Sequence, residues 1–224
     1  LRQVVIQNGQ SLSGWFNDLR SQLSSLQQSA AGQVKALAGN ANGLAQQIAS
    51  LNGQIAVAEG GSGQSANSLR DARDAVLNQL SALVDVKTTT QLDGTMNVYV
   101  GSEPLVIGTD NRGISTRQTS TDGKPSTELI FARDGGSVNA TSGQLGALQS
   151  VTTQIDGVAD QVDSLASNLI FSLNSVYASG QGIKGFSSVT STNAVDDPTL
   201  ALNDPAAGLD FTPVNGSFVV HVKD

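Results

Sequence analysis

The amino-acid sequence predicts an α+β fold, with a long antiparallel helical rod of three helices, packed as a coiled-coil-like bundle and interrupted by small antiparallel β-units. Two observations predict it. Apolar residues recur every three or four positions in three stretches of the chain, which is the spacing of one helix face. Between and after these stretches they alternate with polar residues, as in half-buried strands, and turn-forming glycines separate the alternating runs.

The first helix is predicted from an apolar ladder over residues 12–55. Its steps are all three or four residues, so one narrow face is apolar along roughly 65 Å of helix at about 1.5 Å per residue. The mean step is close to the helical repeat of about 3.6 residues, so this face should run nearly straight. Trp15 should lie off the face and cover a neighbouring helix or, in an assembly, a neighbouring subunit. The ladder consists of Leu12, Phe16, Leu19, Leu23, Leu26, Ala30, Val34, Leu37, Ala41, Leu44, Ile48, Leu51 and Ile55.

Glycines interrupt this helix without falling on the ladder. Each costs about 1 kcal/mol relative to alanine in a helix interior. Their placement favours close packing on more than one side of the helix, and a local break near Gly39-Asn40 is the alternative. They are Gly14, Gly32, Gly39, Gly43 and Gly53.

A second helix should follow a flexible turn at residues 60–63, with Ser68 as its candidate N-cap. Arg70 and Asp74 lie one turn apart and should form an exposed pair. The apolar face of this helix is marked by Leu69, Ala72, Val76, Leu80 and Leu83. A third helix, predicted to end at Gly180, has its apolar face marked by Leu148, Val151, Ile155, Val158, Val162, Leu165, Leu169, Leu173 and Val176.

Between the second and third helices the apolar period changes to two, which predicts a β-unit. Its clearest feature is a hairpin in which residues 86–92 and 96–100 alternate around the turn formers Asp93-Gly94. Further strands are predicted at residues 105–107, 114–119 and 127–132, with turns at residues 122–123 and 134–136. A last strand should follow a turn at Asn215-Gly216.

The sequence therefore predicts three parts. Residues 1–85 and 143–180 form a discontinuous helical rod domain, residues 86–142 a β-insert, and residues 185–224 a second β-segment that is truncated at the carboxy terminus. Because the chain begins at Leu1 and ends within an alternating run, we expect it to be an excised fragment of a longer protein.

The composition argues against several classes of function. Charged residues make up 14% of the chain, aromatic residues 4%, and the formal net charge is −7, so nucleic acid and anionic membranes, which need clustered positive charge, are not expected partners. The chain has no cysteine and one histidine, His221, so it offers neither a Cys-ligated metal site nor a His-dependent catalytic triad. We therefore expect no enzyme activity.

Two further patterns resemble ligand sites without their context. Gly180, Gly182 and Gly185 match the dinucleotide-binding spacing, but they follow a helix instead of joining a strand to one. A loop carries Asp196, Asp197, Asp204 and Asp210, which lack the alternation of a calcium loop. We predict no catalytic, cofactor-binding or metal site, and we leave any role of these carboxylates open.

Several ordered motifs resemble one family. They are NGLAQQIASLN at residues 42–52, LRDARD at 69–74, LSALV at 80–84 and DGTMNVYV at 93–100. Downstream, GQLG opens a helix at residue 143, and Leu165-Ala166 leads to Asn174 and Gly180. In this order they resemble the FlgK family, the flagellar hook-associated proteins that begin the hook-filament junction. Ala72 departs from the family, which usually carries Gln there.

The resemblance implies a structural adaptor at the hook-filament junction that filament assembly needs. It implies export through the flagellar type III apparatus and an extracellular place in the bacterial flagellum. The implied partners are the hook protein, the second junction protein and other copies of the chain in a ring-like assembly, with an export chaperone at an end absent here. We expect this chain alone to be monomeric, because the family's polymerising termini lie outside it.

Two other functions remain open at this stage. A flagellin-like secreted filament protein fits the composition but not the helix-then-hairpin motifs. The stalk of a coiled-coil sensor fits the ladder, but the chain lacks the charge pairs that flank such a seam.

Overall fold

The structure is a computed structural model that describes residues 2–62, 65–121, 124–178 and 194–209. The chain divides into two compact units, Leu1–Leu169 and Ile170–Asp224. In the described part of the first unit, helices and antiparallel sheets occur together, which confirms the predicted α+β class. The elements are α1 (Arg2–Ser62), α2 (Asn67–Leu83), β1 (Val86–Thr90), β2 (Met96–Val100), β3 (Glu103–Ile107), β4 (Asp110–Asn111), β5 (Ile114–Thr121), β6 (Lys124–Phe131) and α3 (Gly143–Ala178).

The first helix is longer than predicted and unbroken. At about 1.5 Å per residue its 61 residues extend over roughly 90 Å. The alternative of a break near Gly39 is therefore wrong. Several other glycines of the helix, among them Gly14 and Gly43, have open space where a side chain would be, and only Gly53 approaches a neighbour, Thr109 of the β3–β4 turn. In the described part of the chain, Gly53 is thus the one glycine of α1 that shows the predicted close packing on a further side of the helix.

The buried face of α1 is rotated from the predicted ladder. Val34, Ala41, Ile48 and Ile55 lie on both, but Leu12 and Leu26 are exposed. Leu37, Leu44 and Leu51 are half-buried at the edge of the face. The fully buried positions between the shared ones are Ala38, Ala45, Ala49 and Asn52. Small side chains there let the neighbouring elements approach the helix closely, so the larger leucines lie at the rim.

The two shorter helices pack antiparallel to α1 along different parts of it. The contacts of α2 run from Glu59–Arg70 to Asn52–Arg73. Those of α3 run from Gln27–Asp156 (2.5 Å) to Arg20–Asp163 (3.3 Å), seven residues apart on both helices. The predicted antiparallel pairing is present, and it consists of two successive helix pairs.

Helix α2 begins one residue earlier than its predicted cap. The residue before the helix is Ala66, no side chain caps it, and Ser68 lies inside the first turn, so the N-cap prediction is wrong. Ala72 is exposed, whereas Arg73 is buried. The inward face is therefore shifted by one residue from the predicted one at this end of the helix.

The β-unit begins with the predicted hairpin. Strands β1 and β2 pair from Val86↔Val100 to Thr90↔Met96 and leave residues 91–95 as the loop. Strands β1 to β4 form one antiparallel sheet in chain order, and β5 and β6 form a separate ribbon. The two-residue strand β4 was not predicted. The turn at residues 134–136 is present, with Gly135 at φ 72°.

One hydrophobic core joins the helices to both sheets. It includes Ile48 of α1, Leu80 of α2, Val98 of β2, Phe131 of β6 and Leu145 of α3. The division into a rod domain and a separate β-insert stays a prediction; the first unit contains the β-insert and the described residues of the rod up to Leu169.

Trp15 does not cover a neighbouring helix in the described part of the chain. It is 54% exposed, and its ring packs edge-on against Phe16 with 5.1 Å between the ring centroids. The alternative prediction, that Trp15 covers a neighbouring subunit in an assembly, therefore stays a prediction. On α3, Val151, Val158 and Leu165 are exposed as well, so that helix buries only part of its predicted face.

The described part of the second unit holds the last residues of α3 and one short 3₁₀ turn, Pro205–Ala207. Residues 194–209 contain no strand. Several predictions fall outside the described residues: the Gly180 helix end, Gly182, Gly185, Asp210, the Asn215-Gly216 turn, His221 and the turn at residues 122–123. Across the part of the chain that is described, no helix has both the length and the apolar character needed to cross a bilayer.

Candidate functional site

The residues that position the β-hairpin on the helices form a buried polar cluster, which we call the polar node. It consists of the side chains of Asn52 and Arg73 and the backbone of Gly94, Met96 and Gly108. The Asn52 amide donates to Met96 O (2.7 Å) and Gly108 O (2.6 Å), and its Oδ1 accepts from Met96 N (3.0 Å). One side chain of α1 thus supplies the hydrogen bonds that a neighbouring strand would otherwise make to the start of β2 and to the residue after β3.

Arg73 completes the polar node from α2. Its Nη1 donates to Asn52 Oδ1 (2.9 Å) and to Gly94 O (2.8 Å). The residue is 2% exposed, and Nε has no hydrogen-bond partner among the described residues. Burial lowers the pKa of the guanidinium from its usual value, and the group remains charged at neutral pH.

An ion pair closes the turn between α1 and α2 beside the polar node. Arg70 donates from Nε and Nη2 to the two oxygens of Glu59, both at 2.7 Å, and Ala66 N donates to Glu59 Oε1 at 2.9 Å. The Arg70 hydrogen bonds and the Ala66 amide lower the pKa of Glu59 from 4.5 to about 2. Arg70 thus makes its hydrogen bonds to the preceding helix, and the predicted partner Asp74 acts on it only through a weaker charge–charge attraction.

The hairpin loop fits closely against these groups. Gly94 has φ +80°, and an added Cβ would meet Glu59 Oε2 and lie 3.0 Å from Ile55 Cγ2. Asp93 Oδ1 accepts from Thr95 N (3.0 Å) and Thr95 Oγ1 (2.6 Å), which fixes the turn. Leu92, at the tip, is fully exposed.

A second junction joins the end of α2 to the start of α3. Asp85 Oδ1 accepts from Thr141 N (2.9 Å) and Ser142 N (3.3 Å), and Oδ2 accepts from Thr141 Oγ1 (2.9 Å). Burial would raise the pKa of Asp85, but these hydrogen bonds outweigh it and the pKa is lowered. Gly143 has φ +72°, and a Cβ there would lie 2.7 Å from Leu83 O. The chain thus leaves and re-enters the helices at one point.

The outer side of α1 carries an open, uncharged groove against α2. Its volume is about 460 Å³, and it lies where Gly39 and Gly43 have no side chain. It is lined by Gly39, Asn40, Gly43, Leu44, Gln47, Gln79 and Leu83.

The loop carboxylates have local structural roles where they are described. Asp197 Oδ1 accepts from Thr199 N (2.9 Å) and Thr199 Oγ1 (2.6 Å), and Asp204 Oδ1 accepts from Ala206 N (2.9 Å) to cap the 3₁₀ turn. Asp196 lies against Gly208 and donates its backbone amide to Ala207 O. No group of three or more potential metal ligands occurs among the described residues.

The sequence comparison decides the family. The family model described as the flagellar hook-associated protein FlgK helical domain matches residues 1–190. The chain belongs to the FlgK helical-domain family. The polar node, the Glu59–Arg70 pair and the Asp85 junction therefore all lie in the FlgK helical-domain region.

Individual relatives agree with this family. The chain is 28% identical over 194 residues to flagellar hook-associated protein 1 of Escherichia coli (strain K12), which covers 82% of the chain and 35% of the relative. It is 33% identical over 93 residues to flagellar hook-associated protein 1 of Bacillus subtilis (strain 168), a match that covers 42% of the chain and 18% of the relative. The flagellar hook junction protein FlgK from Burkholderia pseudomallei superposes with a TM-score of 0.56 at 28% identity, covering 66% of this chain and 28% of that one. The chain thus spans about a third of the length of the Escherichia coli relative.

Neither side chain of the polar node lies on a predicted apolar face. Asn52 directly follows the ladder residue Leu51, and Arg73 directly follows Ala72. One signal could have located Asn52: Ala38, Ala45 and Asn52 are spaced by seven, so the amide continues a row of small residues. Arg73 has no comparable periodic signal, although it lies within the LRDARD motif at residues 69–74.

Proposed function

We propose that this chain is the helical-domain part of a structural adaptor that joins the flagellar hook to the filament and is needed for filament assembly. The observation that carries the proposal is the match of the FlgK helical-domain model over residues 1–190. The similarity to a protein described as a flagellar hook junction protein supports it. The proposal places the protein outside the cell, in the flagellum, after export through the flagellar type III apparatus, and assigns it no catalytic step.

The proposed partners are other flagellar proteins. They are the hook protein on one side, the second junction protein on the other and copies of the same chain around a ring, with an export chaperone that binds outside this chain. The surface of α1 supports packing against other chains, because Gly32, Gly39 and Gly43 leave the helix backbone uncovered. Each such glycine costs a helix about 1 kcal/mol relative to alanine, and nothing in the described part of the chain makes use of the space.

Deletion of the gene for the full-length protein tests the function. The strain should make hooks, fail to extend filaments and release flagellin into the medium. Restoring the gene should restore filaments. Filaments of normal length in the deletion strain would contradict the proposal.

The state of the isolated chain gives a second test. We expect light scattering after size-exclusion chromatography to give the 23.0 kDa mass of one chain. A stable filament or ring formed by this chain alone would show that it contains the polymerising surfaces, and would contradict the assignment of polymerisation to other segments.

A further inference from the structure

Arg73 is an unfavourable residue for stability at the place where it lies. The residue is 2% exposed, and among the described residues its Nε has no hydrogen-bond partner and it forms no ion pair, although the charges of Asp74 and Glu59 attract it. A buried charge is costly unless it is paired and its donors are all satisfied. An apolar side chain of similar length would fill the same space without that cost.

The hydrogen bonds of Arg73 nevertheless reach the hairpin loop, whose tip projects from the protein. In the loop at residues 91–95, Leu92 is fully exposed and Thr95 is buried. Gly94 O accepts from Arg73, which also donates to Asn52 of α1. Strand β1 is exposed along most of its length and sits at the edge of its sheet, so its own burial does little to fix the tip. A rigid guanidinium with two directed hydrogen bonds, one to the loop and one to α1, specifies one position of the loop relative to the helix. Apolar packing is not directional and does not do this.

We propose that Arg73 is a positioning residue that fixes the β1–β2 hairpin tip relative to α1 and α2 at the expense of thermal stability. It bridges α1, α2 and the loop with Nη1 alone, which is why removing it releases the tip. The inference concerns the fold of this chain and does not depend on the flagellar role.

Spin labels can measure the position of the tip directly. The chain contains no cysteine, so Leu92→Cys at the tip and Lys35→Cys on the exposed side of α1 give one unique pair of labels. Lys35 lies 17 residues before Asn52, roughly 25 Å along the helix at about 1.5 Å per residue. Distances in this range are suited to pulsed electron–electron double resonance. The labelled chain is compared with its Arg73→Met, Arg73→Lys and Arg117→Met variants, the last being the same replacement at a half-exposed arginine of β5.

The proposal makes a two-part prediction for Arg73→Met. The distance distribution should broaden at least two-fold and amide exchange at residues 91–95 should accelerate at least ten-fold. Met leaves Gly94 O without its Arg73 donor but also removes a buried charge, so the two effects oppose each other. The unfolding midpoint should therefore stay the same, rise, or fall by no more than about 2 °C. Arg73→Lys, whose ammonium retains a donor for Asn52 and Gly94, should keep the narrow distribution, and so should Arg117→Met.

Every other result overturns the proposal. An unchanged distribution in Arg73→Met would show that the residue does not position the tip. A broadened distribution with a much lower midpoint, or a variant that does not fold, would show that Arg73 is an ordinary stabilising contact. A Lys variant as broad as the Met variant would contradict the assignment to these two hydrogen bonds.

Discussion

Replacing Asn52 by leucine should destabilise this protein more than almost any other exchange of similar size. The side chain is fully buried, and it is the shared partner of α2, β2 and the β3–β4 turn. Leucine has nearly the same volume, so Asn52→Leu removes the hydrogen bonds without opening a large cavity.

The magnitude follows from the groups that lose their partner. Met96 N, Met96 O and Gly108 O each lose their bond to Asn52, and Arg73 keeps only Gly94 O. A buried polar group left unsatisfied costs about 1–3 kcal/mol. Because Gly108 is only half-buried and its carbonyl can reach water, we expect a total of about 3–6 kcal/mol. In a chain of this size that lowers the unfolding midpoint by about 6–24 °C.

Urea unfolding followed by circular dichroism measures this loss, with thermal unfolding as the second assay. Asn40→Leu is the matched control, since Asn40 is exposed on the same helix, and it should stay within about 0.5 kcal/mol of the parent. A loss below about 1 kcal/mol for Asn52→Leu, or one equal to that of the control, would refute the reasoning that the polar node holds the hairpin to the helices.

Three other predictions follow from the same contacts. Glu59→Gln should lower the unfolding midpoint at pH 7. The difference from the parent should shrink as the pH falls from about 4.5 and vanish only below about 2, because a carboxylate with a lowered pKa stabilises only while it is ionised. A difference that is constant across a pH series of melts would contradict this. Gly43→Ala should raise stability by about 0.5–1 kcal/mol, whereas Gly143→Ala, at φ +72° against Leu83 O, should lower it by at least about 1 kcal/mol, and denaturant unfolding showing the same sign for both would be inconsistent with the open and closed sites. Asp85→Ala should lower the free energy of unfolding by about 1 kcal/mol, as the loss of a helix cap does, and should speed amide exchange at the start of α3 but not in α2. Equal amide protection at the start of α3 in the parent and in Asp85→Ala would rule out the junction.

The parts of the fold that the sequence predicts are those set by local patterns. Helix α1 follows from a ladder that continues through its glycines, and the hairpin follows from alternation around Asp93-Gly94. The rotation of the buried face could not be predicted in the same way. Alanine is weakly apolar and fits either side of a helix, so Ala38 and Ala45 do not indicate which face is buried. The leucines beside them favour a neighbouring face, which lies at the rim of the contact with α2.

The polar node and the Asp85 junction depend on contacts between distant residues. Asn52 reaches Met96, 44 residues later, and Asp85 reaches Thr141, 56 residues later. A single sequence contains no periodicity for such pairs, and a buried arginine contradicts the usual preference of charged residues for the surface. For the same reason Arg70 was assigned to Asp74 on its own helix, whereas Glu59 of the preceding helix binds it.

Electron microscopy with gold-labelled antibodies against this chain tests the junction role most directly. On intact flagella the account predicts one narrow band of label between the hook and the filament. Label along the whole filament, as a flagellin-like protein would give, or no label on flagella at all, would contradict it.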